Sequence, residues 1–116
     1  MKSFSFLTDD ERATVYDAVD ESIHNLIISL PKEVQKEVEK VPCYLDAFST
    51  IDNHPEALGC TMTWLENAPV FIYVGAIYEA ERGNLNGILG SARQVYLHEL
   101  GHVLGLGEVE VRERGI

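Results

Sequence analysis

The chain has 116 residues, a size that suits one domain with a core of its own. Nineteen Asp and Glu stand against nine Lys and Arg, for a formal net charge of −10. So acidic a chain is ill suited to nucleic acid, whose phosphates need clustered cations, or to an anionic membrane surface. A neutral or cationic peptide is a better match for it.

The N-terminal apolar stretch is short and runs into Asp9 and Asp10, which is not the pattern of a secretory leader. No stretch approaches the length of a membrane span. The two cysteines, Cys43 and Cys60, lie in apolar runs and are too few for a disulfide framework. Both are expected to be buried, reduced thiols. The expectation is a single cytoplasmic domain over residues 1–116, with no nucleic-acid or membrane partner.

Thr8-Asp9-Asp10-Glu11 has the form of a capping box. Val15, Ala18, Val19, Ser22, Ile23, Leu26, Ile27 and Leu30 follow at helical spacing. The pattern predicts a helix from about Asp9 to Ser29, closed by Pro31. Pro31 then opens a second, charged helix from Lys32 to about Lys40, with Val34, Val38 and Val41 on one side.

Three apolar runs come next, Val41–Phe48, Leu58–Leu65 and Val70–Ile77, each rich in β-branched or aromatic residues. They read as strands. Glu66-Asn67-Ala68-Pro69 is a compact link, so the second and third are expected to form a hairpin. Ser49–Ala57 reads as a surface loop and Tyr78–Gly87 as a loop or frayed helix start. From Leu85 to Leu104 the spacing is helical again, and Gly105 is a natural stop.

The last helix carries His98-Glu99-Leu100-Gly101-His102, that is, H-E-x-x-H. Residues four apart share one helix face, so two imidazoles can meet one metal ion. Glu99 is turned away by one position and can stand beside the ion as a base rather than a ligand. Chance yields H-E-x-x-H in roughly one shuffled chain in seventy, and the glycine and acid that follow, Gly105 and Glu108, lower this to the order of 10⁻⁴. Gly105 can end the helix and turn the chain back, so that Glu108 supplies a third, anionic ligand. Two His and one carboxylate leave a tetrahedral position open, the pattern of a catalytic zinc.

The run HELGHVLGLGE resembles the extended zincin motif H-E-x-x-H-x-x-G-x-x-[H/D]. More narrowly, the chain resembles the small bacterial zincin-like minimal metallopeptidases, in which a leading helix and a few strands with a Leu-Gly pair precede a zinc helix. Here that pair is Leu58-Gly59. Two departures stand out: Glu108 where the family usually has Asp, and Val103 where it often has a polar residue. There is also no methionine after Met62, so the methionine turn of larger relatives is absent. The resemblance implies an α+β, zincin-like fold. A three- to four-stranded sheet would pack against a long N-terminal helix and the C-terminal zinc helix.

It further implies one Zn2+ held by His98, His102 and Glu108, with Glu99 as general base in hydrolysis of a peptide or protein substrate. Glu110 and His54 are reserve ligands. Met62 is a candidate floor under the metal, and Tyr73, Tyr78 and Tyr96 are candidate oxyanion donors. A substrate strand could add to the sheet edge at Val70–Ile77 or Leu58–Leu65. The alternative is a catalytically silent zinc-binding module or a subunit of a larger assembly.

Overall fold

The computed structural model describes residues 2–50, 56–61 and 68–103. Four α-helices and a small mixed sheet make up the described chain, an α+β arrangement.

Helix α1 spans Asp9–Ile28. Its start is the expected capping box: Glu11 N–H donates to Thr8 Oγ1 at 3.1 Å, and Thr8 N–H donates to Glu11 Oε1 at 2.9 Å. Three acids in the first turn complement the helix dipole. The helix closes at Ser29, and Pro31 caps α2, Lys32–Val38. Only Val38 of α2 is buried, and Val34 is exposed, so α2 contacts the core through its last turn.

The three strands are shorter than their apolar runs. They are β1 Cys43–Asp46, β2 Gly59–Thr61 and β3 Val70–Tyr73, in the spatial order β1-β3-β2. The expected pairing of the second and third strands is present: β2 runs antiparallel to β3, with Cys60 opposite Phe71. On its other side β3 pairs in parallel with β1, with Leu45 opposite Ile72. The central strand is therefore β3, whose Val70 and Ile72 are fully buried.

The third apolar run does not stay extended to Ile77. After Tyr73 the chain turns directly into α3, Val74–Ala80. Residues Val74 to Tyr78 are buried on every side. An all-apolar run has no period to separate a buried strand from a buried helix. Gly75 permits the sharp entry, since a Cβ there would lie 2.6 Å from the Ala47 carbonyl and 2.9 Å from the Phe48 ring.

The segment read as a loop or frayed helix start, Tyr78–Gly87, is mostly structured. It holds the end of α3, a reversal through Arg82 and Gly83 at positive φ, and the start of α4, Leu85–Val103. Gly83 N–H closes onto the Tyr78 carbonyl, as at a glycine-terminated helix end. Asn84 caps α4 by accepting from Gly87 N–H at 3.1 Å.

One element has no counterpart in the sequence reading. Phe4–Phe6 forms a single 3-10 turn, and Phe4 is 1% exposed. Its ring meets the edges or faces of Tyr16, Phe48 and Tyr78. Glu79 holds the turn by accepting from Phe4 N–H at 2.8 Å and Ser3 Oγ at 2.9 Å.

Helix α4 packs on β2 and β3, and α1 packs on α4. Val19 and Ile23 of α1, Val70 and Ile72 of β3, and Ile88, Ala92, Tyr96 and Leu100 of α4 form one core. Burial of this stripe fixes which face of α4 points outward. No helix among the described residues is long and apolar enough to cross a membrane.

Candidate metal centre

Ile88, Ala92, Tyr96 and Leu100 commit one face of α4 to the core. His98 and His102 lie on a neighbouring face, one turn apart, and are half-buried. Their Nε2 atoms stand 3.2 Å apart, with the rings nearly perpendicular at 84°. Two imidazole ligands of a tetrahedral zinc, each about 2.05 Å from the ion, would have their nitrogens about 3.3 Å apart. The pair thus has the spacing of two ligands of one ion. Without metal, the same contact is an N–H···N hydrogen bond with one ring donating.

Glu99 lies on the side of α4 that meets β2, its Cγ 3.7 Å from where a Cβ on Gly59 would stand. It is half-buried, and burial raises its carboxyl above the ordinary carboxylate range, while His98 and His102 pull it back. Among the described residues no third His, Cys, Asp or Glu joins the two imidazoles into a metal-holding cluster. Glu99 therefore stands beside the pair without completing it. The expected third ligand Glu108, the reserve ligands Glu110 and His54, and Met62 all lie outside the described residues.

A cavity of about 350 Å³ opens beside His98 and Glu99, lined also by Leu58, Gly59, Gln94 and Val95. Its outer wall exists because β2 approaches α4 without a side chain in between. A Cβ on Gly59 would lie 2.3 Å from Val95 Cγ1, 2.9 Å from the Phe71 carbonyl and 3.7 Å from Glu99 Cγ. The Leu58-Gly59 pair noted in the sequence is thus a close-approach site. Neither Gln94 nor Val95 is among the site residues expected from the sequence. The signal for them was present, since positions four and three before His98 share its side of a helix.

In the described sheet β2 is an edge strand, whereas β3 is paired on both sides. Leu58 O accepts from Tyr73 N–H at 3.0 Å, which makes Leu58 and Tyr73 a hydrogen-bonded pair. Alternation along an antiparallel ladder then turns the backbone N–H and C=O of Gly59 away from β3, toward the side of β2 that no other described strand covers. Of the two strands considered for substrate addition, β3 is excluded.

The three tyrosines considered as oxyanion donors serve the interior. Tyr73, Tyr78 and Tyr96 are buried, and none of them lines the cavity. Burial, followed by the nearby Cys43, pushes the Tyr96 hydroxyl well above the ordinary phenol range. His24 lies on α1, in a separate cavity with Asp20 and Cys43.

Comparison with protein-family models and with curated proteins finds no match.

Proposed function

We propose that the protein is a zinc-dependent metallopeptidase of zincin-like fold, with His98, His102 and Glu108 as ligands and Glu99 as general base. The observation that carries this is the 3.2 Å approach of two Nε2 atoms from a single helix face, with a half-buried carboxylate at the next position. When bound, zinc would polarise the substrate carbonyl and acidify water.

The chain's own groups do the rest. Glu99 takes a proton from the attacking water and delivers it to the leaving amine. Burial strengthens its hold on that proton, which is what a carboxylate base needs near neutral pH. The outward N–H and C=O of Gly59 pair with an extended substrate backbone, adding a strand to the sheet. The Leu58 and Val95 side chains line a pocket for an apolar substrate side chain next to the cleaved bond.

Glu99→Gln tests the reading. The amide keeps the shape and cannot act as a base. A zinc-loaded variant that binds metal as the parent does but loses peptide cleavage by about 100-fold or more supports the assignment. Equal cleavage by both forms overturns it. Zinc binding with no hydrolysis by the parent on a diverse peptide library favours the silent module.

A further inference from the structure

A second cavity, of about 490 Å³, lies along α4 on the N-terminal side of the histidine pair. Gln94 lines both cavities, so they adjoin at that side chain. In the second cavity the walls change character. Leu26 and Leu97 are apolar, Ser91 is polar, and Arg93 and Glu81 bring opposite charges. Arg93 is half-buried between α1 and α4, and its guanidinium donates to Ser22 Oγ at 2.7 Å. The ion pairs among the described residues do not include it. A guanidinium has five N–H donors in a planar fork, and one bond to a serine leaves that fork able to engage a carboxylate.

Spacing turns this into specificity. Arg93 precedes His98 by five residues, a rise of about 7.5 Å along the helix. The same five residues turn about 140° around the helix, and an extended peptide advances about 3.3 Å per residue, so the rise alone takes about two substrate residues and the path round to Arg93 takes at least one more. Glu81 lies at the other end of the cavity. It packs on Gly87, where a Cβ would sit 2.6 Å from its carboxylate oxygen. Gly87 is another six residues toward the start of α4, about 9 Å further from the histidines. An anion is welcome near Arg93 and repelled beyond it.

We infer that the cleft continues past Gln94 into this cavity, and that Arg93 selects peptides bearing a carboxylate three or more residues from the cleaved bond. The inference rests on the metallopeptidase reading for the position of that bond, but the binding it describes does not need metal. The carboxylate can be an acidic side chain or the free C-terminus of a short peptide. Both present the same group to the guanidinium, in a chain whose overall negative charge otherwise disfavours anions.

The test uses matched fluorescent peptides with one apolar residue for the first cavity. One series carries Asp or Asn at each successive position on the Gln94 side. A second ends at those positions as free acid or as amide. Binding is measured by anisotropy to metal-free full-length protein, and cleavage by the zinc-loaded form, for the parent, Arg93→Gln and Arg93→Lys. Acid should be preferred to its neutral counterpart by about fivefold at one position, the third or beyond, in keeping with a partly exposed charge-assisted contact. The preference should vanish or invert further out. It should be lost in R93Q and partly kept in R93K, with melting temperature confirming that each variant folds. The responsive series tells side chain from terminus.

An acid-to-neutral ratio near one in the parent, or the same ratio in R93Q, overturns the inference. Arg93-dependent binding without cleavage sustains it and removes the hydrolytic reading instead. Cleavage without Arg93-dependent discrimination does the reverse.

Discussion

Gly59 and Val95 are separated by 36 residues in sequence, and a methyl group on the glycine would stand 2.3 Å from Val95 Cγ1. This contact lets the edge strand β2 lie against the helix that carries both histidines. The replacement Gly59→Ala is expected to destabilise the fold by about 1–3 kcal/mol, the usual cost of forcing an extra carbon into a packed interface. Val95→Ala should relieve part of that clash. The double variant should then be more stable than the sum of the single effects by about 1 kcal/mol. Chemical denaturation of the four proteins measures the coupling, and strict additivity would show that the two residues do not touch.

The N-terminal turn is expected to be part of the core. Phe4 is 1% exposed, and its ring meets three other aromatic rings. Phe4→Ala should cost about 3–5 kcal/mol, as other buried Phe truncations do. Glu79→Ala removes the acceptor of Phe4 N–H and Ser3 Oγ and should cost about 1–3 kcal/mol. Urea unfolding checks both values. A loss below about 1 kcal/mol for Phe4→Ala would mean that the turn contributes little to stability.

Cys43 supplies a pH signature away from the histidines. Burial, with Asp20 adding to it, pushes its thiol up from 9.0 to about 11. The unfolded chain therefore loses this proton first as pH rises. The contribution of Cys43 to stability is complete below pH 9 and is lost as the pH climbs toward about 11. The loss should reach about 2 kcal/mol. Other buried phenols also titrate in this range, so the measurement is a difference. Unfolding free energies of the parent and Cys43→Ala, taken at pH 8 and pH 10.5, should converge at the higher pH. A constant gap between the two proteins would contradict the assignment.

Local signals made the long helices legible. Thr8 and Glu11 mark the start of α1 through a contact three residues long, and the apolar stripe of α4 repeats within each turn. The histidine pair was readable for the same reason, because its geometry belongs to one helix. The run through Val74 and Ile77 was not separable from a strand, since burial on all sides erases periodicity. Phe4 stands in no repeating pattern, and its role depends on partners up to 74 residues away in sequence. The closeness of Gly59 to Val95 and the cleft beyond Gln94 are likewise tertiary facts. Helical spacing could place Gln94 and Val95 beside His98, but only the packed sheet shows that they face a cavity.

Isothermal titration of zinc into metal-free protein near neutral pH addresses the proposed centre most directly, with the parent, His98→Ala, His102→Ala and Glu99→Gln compared side by side. One tight site per chain is expected in the parent and in Glu99→Gln, with that site lost or weakened at least 100-fold when either imidazole is removed. A parent that takes up no zinc, or histidine variants that bind it as tightly as the parent, would contradict the account.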